Sequence, residues 1–138
     1  METTHDNKAV VDRFDALLGS TDLGALDDLC WPDMVNHSLA PSRPAGLAGT
    51  KEFLREAGPN FHDDDWEELV VVADGDYVVQ FGTRGGRWPG GVFLGYSAAP
   101  GEYRRAFACM YRVTGGRIAE RWAVRDDLTM LRQLNALD

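Results

Sequence analysis

The sequence predicts an α+β fold: a curved, mostly antiparallel sheet wrapped around N-terminal helices to form a cone with an internal pocket. Three observations carry that prediction. Roughly the first sixty residues place apolar side chains at helical spacing, whereas the residues after His62 place them at period two or in β-branched runs. The links between the later runs are shorter than the dozen or more residues that a parallel crossover needs. A curled sheet covered on one face by helices leaves an open end suited to a small molecule.

Segment 5–18, HDNKAVVDRFDALL, sets Val10, Phe14 and Leu17 on one helical face, with Gly19 as a stop. Asp22 can cap a short second helix carrying Leu23, Leu26 and Leu29, which Pro32 ends. The proline- and glycine-rich stretch 38–49 reads as an ordered loop or lid leading into a third helix over about 50–57. Five strands follow, WEELVVVADG, DYVVQFGTR, GGVFLGY, EYRRAFACMYRVT and RIAERWAVRD, with hairpin turns at Asp74-Gly75 and Gly115-Gly116. Gly85-Gly86, Gly90-Gly91 and Pro100-Gly101 read as further turns, and Leu128, Leu131 and Leu134 predict a short C-terminal helix.

With 138 residues the chain suits one domain, 1–138. Its net charge of −8 opposes binding to nucleic acid or to anionic membrane. The start METTHDNKAVVDRF has no signal-like apolar run, so a cytoplasmic location is expected. In a reducing compartment Cys30 and Cys109, without CxxC spacing, read as free buried thiols.

Nucleotide-binding, nucleophile-elbow and zinc-protease motifs are missing, and neither metal nor cofactor is expected. His5 lies near the terminus. His37, in DMVNHSLAP, sits where a pocket rim would be and is a candidate catalytic group or a structural hydrogen-bonder. The run His62-Asp63-Asp64-Asp65 reads as a solvated turn rather than a metal site. Glu120, Trp122 and Asp126 are the strongest candidates. In an unbroken strand all three even positions share a face with Ile118 and Val124, so that face either wastes an indole on solvent or lines a pocket. A pocket would desolvate Asp126 and raise its pKa toward acid/base work; the alternative is a helix cap. Glu120 can pair with Arg121, Arg112 or another cation.

The run Tyr111-Arg112-Val113, Gly115 to Glu120, Trp122, Asp126 and Leu131-x-Gln133-Leu134 resembles the closing signature of the SnoaL-like polyketide cyclases, in the nuclear transport factor 2-like superfamily. Asn36-His37, Gly46 to Phe53, Ala73 to Val79 and Gly82-Thr83 stand in the expected order upstream. The resemblance implies an oligomeric α+β cone, a dimer or tetramer, acting without metal or cofactor on a small hydrophobic or aromatic carbonyl compound of secondary metabolism. It also implies ring closure by intramolecular aldol condensation with Asp126 as acid/base residue. Trp122, Glu120, Asn36, Arg84 and Trp66 are then expected to contact substrate, with His37 beside Asp126 in catalysis. The sequence departs from the family pattern at Arg84, where a histidine follows Gly-Thr, at Ala98-Ala99-Pro100-Gly101 and at Asn135. Arg84 could recognise an anion or stabilise an enolate. The alternatives are epoxide opening or dehydration in the same pocket, and a non-catalytic domain in which the strand carrying Phe107, Cys109 and Tyr111 forms a dimer face.

Overall fold

A computed structural model describes residues 4–20, 22–61 and 63–137, so His62 lies outside the described residues. Among the described residues the elements run α1 (Thr4–Ala16), a 3₁₀ turn (Leu23–Asp28), β1 (Cys30–Asn36), α2 (Gly46–Ala57), β2 (Asp65–Asp74), β3 (Tyr77–Trp88), β4 (Gly91–Phe93), β5 (Tyr96–Ala98), β6 (Gly101–Thr114), β7 (Arg117–Arg125) and α3 (Asp127–Gln133). The main sheet has the order β1-β7-β6-β3-β2 and curves around the N-terminal helices. Every neighbouring pair in it is antiparallel except β1 with β7. The α+β fold expected from the sequence is the fold observed.

Periodicity explains most of these elements. Val10, Val11 and Phe14 on α1 are buried against the concave face of the sheet, where the Phe14 ring meets Tyr111 edge-on at 5.6 Å. Burying each such side chain contributes about 1.5–3 kcal/mol. On β6 the odd residues Tyr103 to Val113 face inward and the even ones outward. Phe107, Cys109 and Tyr111 therefore belong to the core and not to a dimer face. Both predicted hairpins form: Gly75 has φ 57°, and Gly115 and Gly116 have φ 58° and 77°, the left-handed values that a tight turn requires. Cys30 and Cys109 are free and buried, and burial pushes the Cys30 thiol up to about 12.

Four expectations need correction. Residues 30–36 form an edge strand rather than the end of a helical region. CWPDMVN has poor strand composition, and only its parallel pairing with β7 draws it into the sheet, where an edge position tolerates Pro32. The second helix is a 3₁₀ turn that Asp22 does not cap through its side chain. GGVFLGY is a separate β4–β5 hairpin turning at Leu94-Gly95. Gly85-Gly86 lies inside β3 rather than in a turn, because glycines there let the neighbouring strands close in: a Cβ on Gly82 would collide with the Glu68 carbonyl and one on Gly86 would meet the Tyr103 hydroxyl at 2.8 Å.

The register of β7 matters most for the site. Val113 opposes Ile118 but Arg112 opposes Glu120, so Ala119 is an extra residue, a β-bulge. The bulge changes parity: Ile118 faces inward, and beyond it the inward residues are Arg121, Ala123 and Arg125.

Candidate active site

The concave face, α1, α2 and the 38–45 loop enclose a cavity of about 190 Å³. Phe14, Leu18, Phe53, Leu54, Phe61 and Phe107 supply apolar wall. The loop is tied down, since Arg43 pairs with Glu52 at 3.0 Å and Glu56 at 2.7 Å on α2. Into this wall the strands project Arg84 from β3, Arg105 from β6, and Arg121 and Arg125 from β7, while Asp64 is the one carboxylate among the described lining residues. A larger but shallow groove, about 430 Å³, runs between β1 and the loop and has no comparable set of charged groups.

Asp64 lies between two guanidinium groups and a phenol. Arg84 donates from Nε to its Oδ1 and from Nη2 to its carbonyl at 3.0 Å; Tyr103 donates its hydroxyl to Oδ2 at 2.7 Å; Arg105 Nη2 stands 4.0 Å from Oδ2. Burial and the Asp64 bond both push the Tyr103 phenol up, so it stays a protonated donor. Arg84 also donates to Asp15 at 3.0 Å and lies 4.8 Å over the Trp66 ring. Burial raises the Asp15 pKa against the opposing pull of Arg84 and of Trp66, whose indole donates to it. Arg105 donates from Nη1 to Asp127 at 3.0 Å, but its buried Nε has no partner. Burial, with Arg125 nearby, lowers its pKa.

The bulge separates the sequence-predicted residues. Arg84 and Asn36 line the cavity, the latter donating to Thr50 at 3.1 Å. Trp66 stands behind Arg84 rather than among the lining residues. Glu120, Trp122 and His37 lie on the outer face of the sheet: the His37 ring stacks on Trp122 at 4.7 Å and 9°, and Glu120 bonds His37 at 2.7 Å and Arg112 at 3.0 Å. His37 and Arg112 hold the Glu120 carboxyl below its ordinary pKa. Asp126 is the exposed N-cap of α3, accepting from the Thr129 amide at 3.1 Å and its hydroxyl at 2.6 Å. Those bonds lower its pKa. The expected shared pocket face is thus corrected: parity holds among 120, 122 and 124, but their side faces out, with Val124 69% exposed.

Reading the sequence alone missed Asp64, Arg105 and Arg121. Arg105 was visible as one cation in the inward apolar row of β6. Asp64 carried no signal, because its acidic neighbours imitate a solvated turn. Arg121 was hidden by the bulge. Among the described residues no cluster of three or more His, Cys, Asp or Glu is placed to hold a metal ion.

The SnoaL-like polyketide cyclase family matches residues 8–134. The chain belongs to this family. Among solved structures, this SnoaL-like protein superposes on TsrD from Streptomyces laurentii with a TM-score of 0.80 at 24% identity, over 99% of this chain and 100% of that one. IdmH from Streptomyces antibioticus, a candidate polyketide cyclase, gives 0.77 at 26% identity over 94% and 98%. AclR from Streptomyces galilaeus, a candidate hydroxylase, gives 0.77 at 20% over 99% and 89%. No curated protein matches the sequence. For a SnoaL-like protein a small-molecule substrate follows from the family, and no helix among the described residues is long and apolar enough to cross a membrane.

Proposed function

We propose that this chain is a cofactor-independent cyclase that closes a ring in a polyketide-like carbonyl compound by intramolecular aldol chemistry. The observation that carries the reading is Asp64, the one carboxylate among the described residues of a cavity walled by aromatic side chains and arginines, flanked by the guanidinium groups of Arg84 and Arg105. Asp64 takes the proton from the carbon next to a carbonyl. Arg84 and Arg105 stabilise the enolate oxygen, as preorganised charges do in a water-poor site. The aromatic wall folds the substrate so that the enolate carbon meets a second carbonyl. A carbon–carbon bond forms, the carbonyl π electrons move to oxygen, and the Asp64 carboxyl returns its proton there; the product is an isomer of the substrate. In this mechanism Asp126 is a cap, not the base.

The test is deuterium uptake from ²H₂O at the α-carbon of an enolisable aromatic ketone such as 1-tetralone. Asp64→Asn is expected to slow exchange by about 10²-fold or more, the usual worth of a general base, while Asp126→Asn leaves it unchanged. Unimpaired exchange in Asp64→Asn would overturn the mechanism. Incubation in oxygen-18 water checks the epoxide-opening alternative, since hydrolysis would retain the label.

The same reading extends to assembly as a homodimer through the outer face of the sheet. Two rows of paired residues cross that face, Val70-Phe81-Ala108-Val124 and Val72-Val79-Met110-Trp122. Val70, Val72, Phe81 and Val124 are each more than half exposed. A contiguous apolar surface of this kind is what a protein–protein contact covers.

A further inference from the structure

Arg121 differs from every other arginine in the cavity wall. Arg84 has Asp15 at 3.0 Å, Arg105 has Asp127 at 3.0 Å and Arg125 shares Asp127 at 3.0 Å. Arg121 is 7% exposed, and its direct contacts are neutral: the Tyr111 hydroxyl at 3.3 Å, the Cys109 sulfur at 4.0 Å and the rings of Phe14 and Tyr111, each 5.7 Å from the guanidinium; Asp15 acts on it only through space and is already bonded to Arg84 and Trp66. Among the described residues no carboxylate forms an ion pair with it. An unpaired cation taken out of water is destabilising, and an apolar side chain of similar volume would fold at least as well. A buried guanidinium facing a cavity therefore points to an anion that arrives from outside. The buried, unpartnered Nε of Arg105 is a second donor left open in the same wall.

Resting on the cyclase reading above, we propose that the substrate is a free carboxylic acid, an aromatic or polycyclic compound whose carboxylate seats on the planar fork of Arg121. Guanidinium binds carboxylate through two parallel N–H bonds, a geometry neither an ester nor an amide can match. Register sets where the group sits. Arg121 opposes Tyr111, whereas Arg84 opposes Arg105, six residues earlier on β6, so the two guanidinium groups enter the same cavity from different positions along its wall. The acid therefore anchors one end of a compact molecule while the reacting carbonyl reaches Asp64, Arg84 and Arg105 across the same cavity. A reaction that supplies this substrate must leave its carboxyl group free.

The experiment is calorimetric titration of the full chain at low salt with benzoate and 1-naphthoate, each against its methyl ester. At least one acid is expected to bind about tenfold or more tightly than its ester. Arg121→Met is expected to abolish that preference while leaving the melting temperature of the unliganded protein unchanged or raised, which a merely structural arginine would not do. Arg121→Lys keeps the charge without the fork, and is expected to retain the preference at reduced affinity. Equal binding of acid and ester, no binding of any probe, or a preference that survives in Arg121→Met would each overturn the proposal. Lost preference with Asp64-dependent exchange intact removes only the carboxylate seat. Intact preference with no exchange removes only the acid/base reading.

Discussion

A carboxylate does what its neighbours allow, and three aspartates here are set to different tasks. Asp126 accepts two bonds from Thr129 that favour its charged form. A lowered pKa contributes stability that is present above the unfolded value and lost as the pH falls through the folded one. Asp126→Ala is therefore expected to lower the melting temperature by a few degrees at neutral pH, and the difference should close below about pH 4. Asp15 has the opposite sign. Its raised pKa favours the fold below the ordinary carboxyl value, and that contribution fades as the pH rises through the folded value. Relative to wild type, Asp15→Asn should gain stability as the pH rises from about 4 toward neutrality, as followed by urea unfolding in a series of buffers. Asp64, held by Arg84 and Tyr103 in the cavity wall, is left for chemistry. The residue types were legible in the sequence; the neighbours that decide among them come from distant strands and were not.

At the level of elements, local pattern revealed what is locally determined. Val10 and Phe14 on α1, the alternation of β6 and the Gly115-Gly116 turn all express themselves within a few residues of chain. β1 does not, since a proline and an aspartate in seven residues argue against a strand and only β7 overrides them. The bulge at Ala119 does not either: an extra residue is visible only against the partner strand, yet it decides which row of β7 faces the cavity. The C-terminal helix was legible, but Met130, Leu131 and Leu134 form its buried side and Leu128 is half exposed. Gly82 tests how closely β2 and β3 approach. Gly82→Ala should destabilise by roughly 1–3 kcal/mol in urea unfolding, the usual cost of overpacking, because the added carbon meets the Glu68 backbone rather than a movable side chain.

For the molecule as a whole, the two faces of one sheet divide the work. The concave side holds the cavity and its arginines; the outer side carries Trp122, His37 and the exposed valines. The Trp122 indole lies outside the pocket, stacked on His37 as one member of an apolar outer surface. If that surface pairs two copies, sedimentation should give a dimer, and Phe81→Glu should give a folded monomer; a wild-type monomer at high concentration would contradict the pairing. Which row of β7 does the chemistry governs both the cyclase mechanism and the carboxylate seat. Carboxyl-carbon NMR titration of Asp126, assigned with Asp126→Asn, decides it most directly. A pKa below the ordinary value of about 4 is the expected result, that of an exposed cap with the cavity on the other side. A value well above it would put Asp126 in a desolvated site and contradict the inward assignment of Arg121, Ala123 and Arg125.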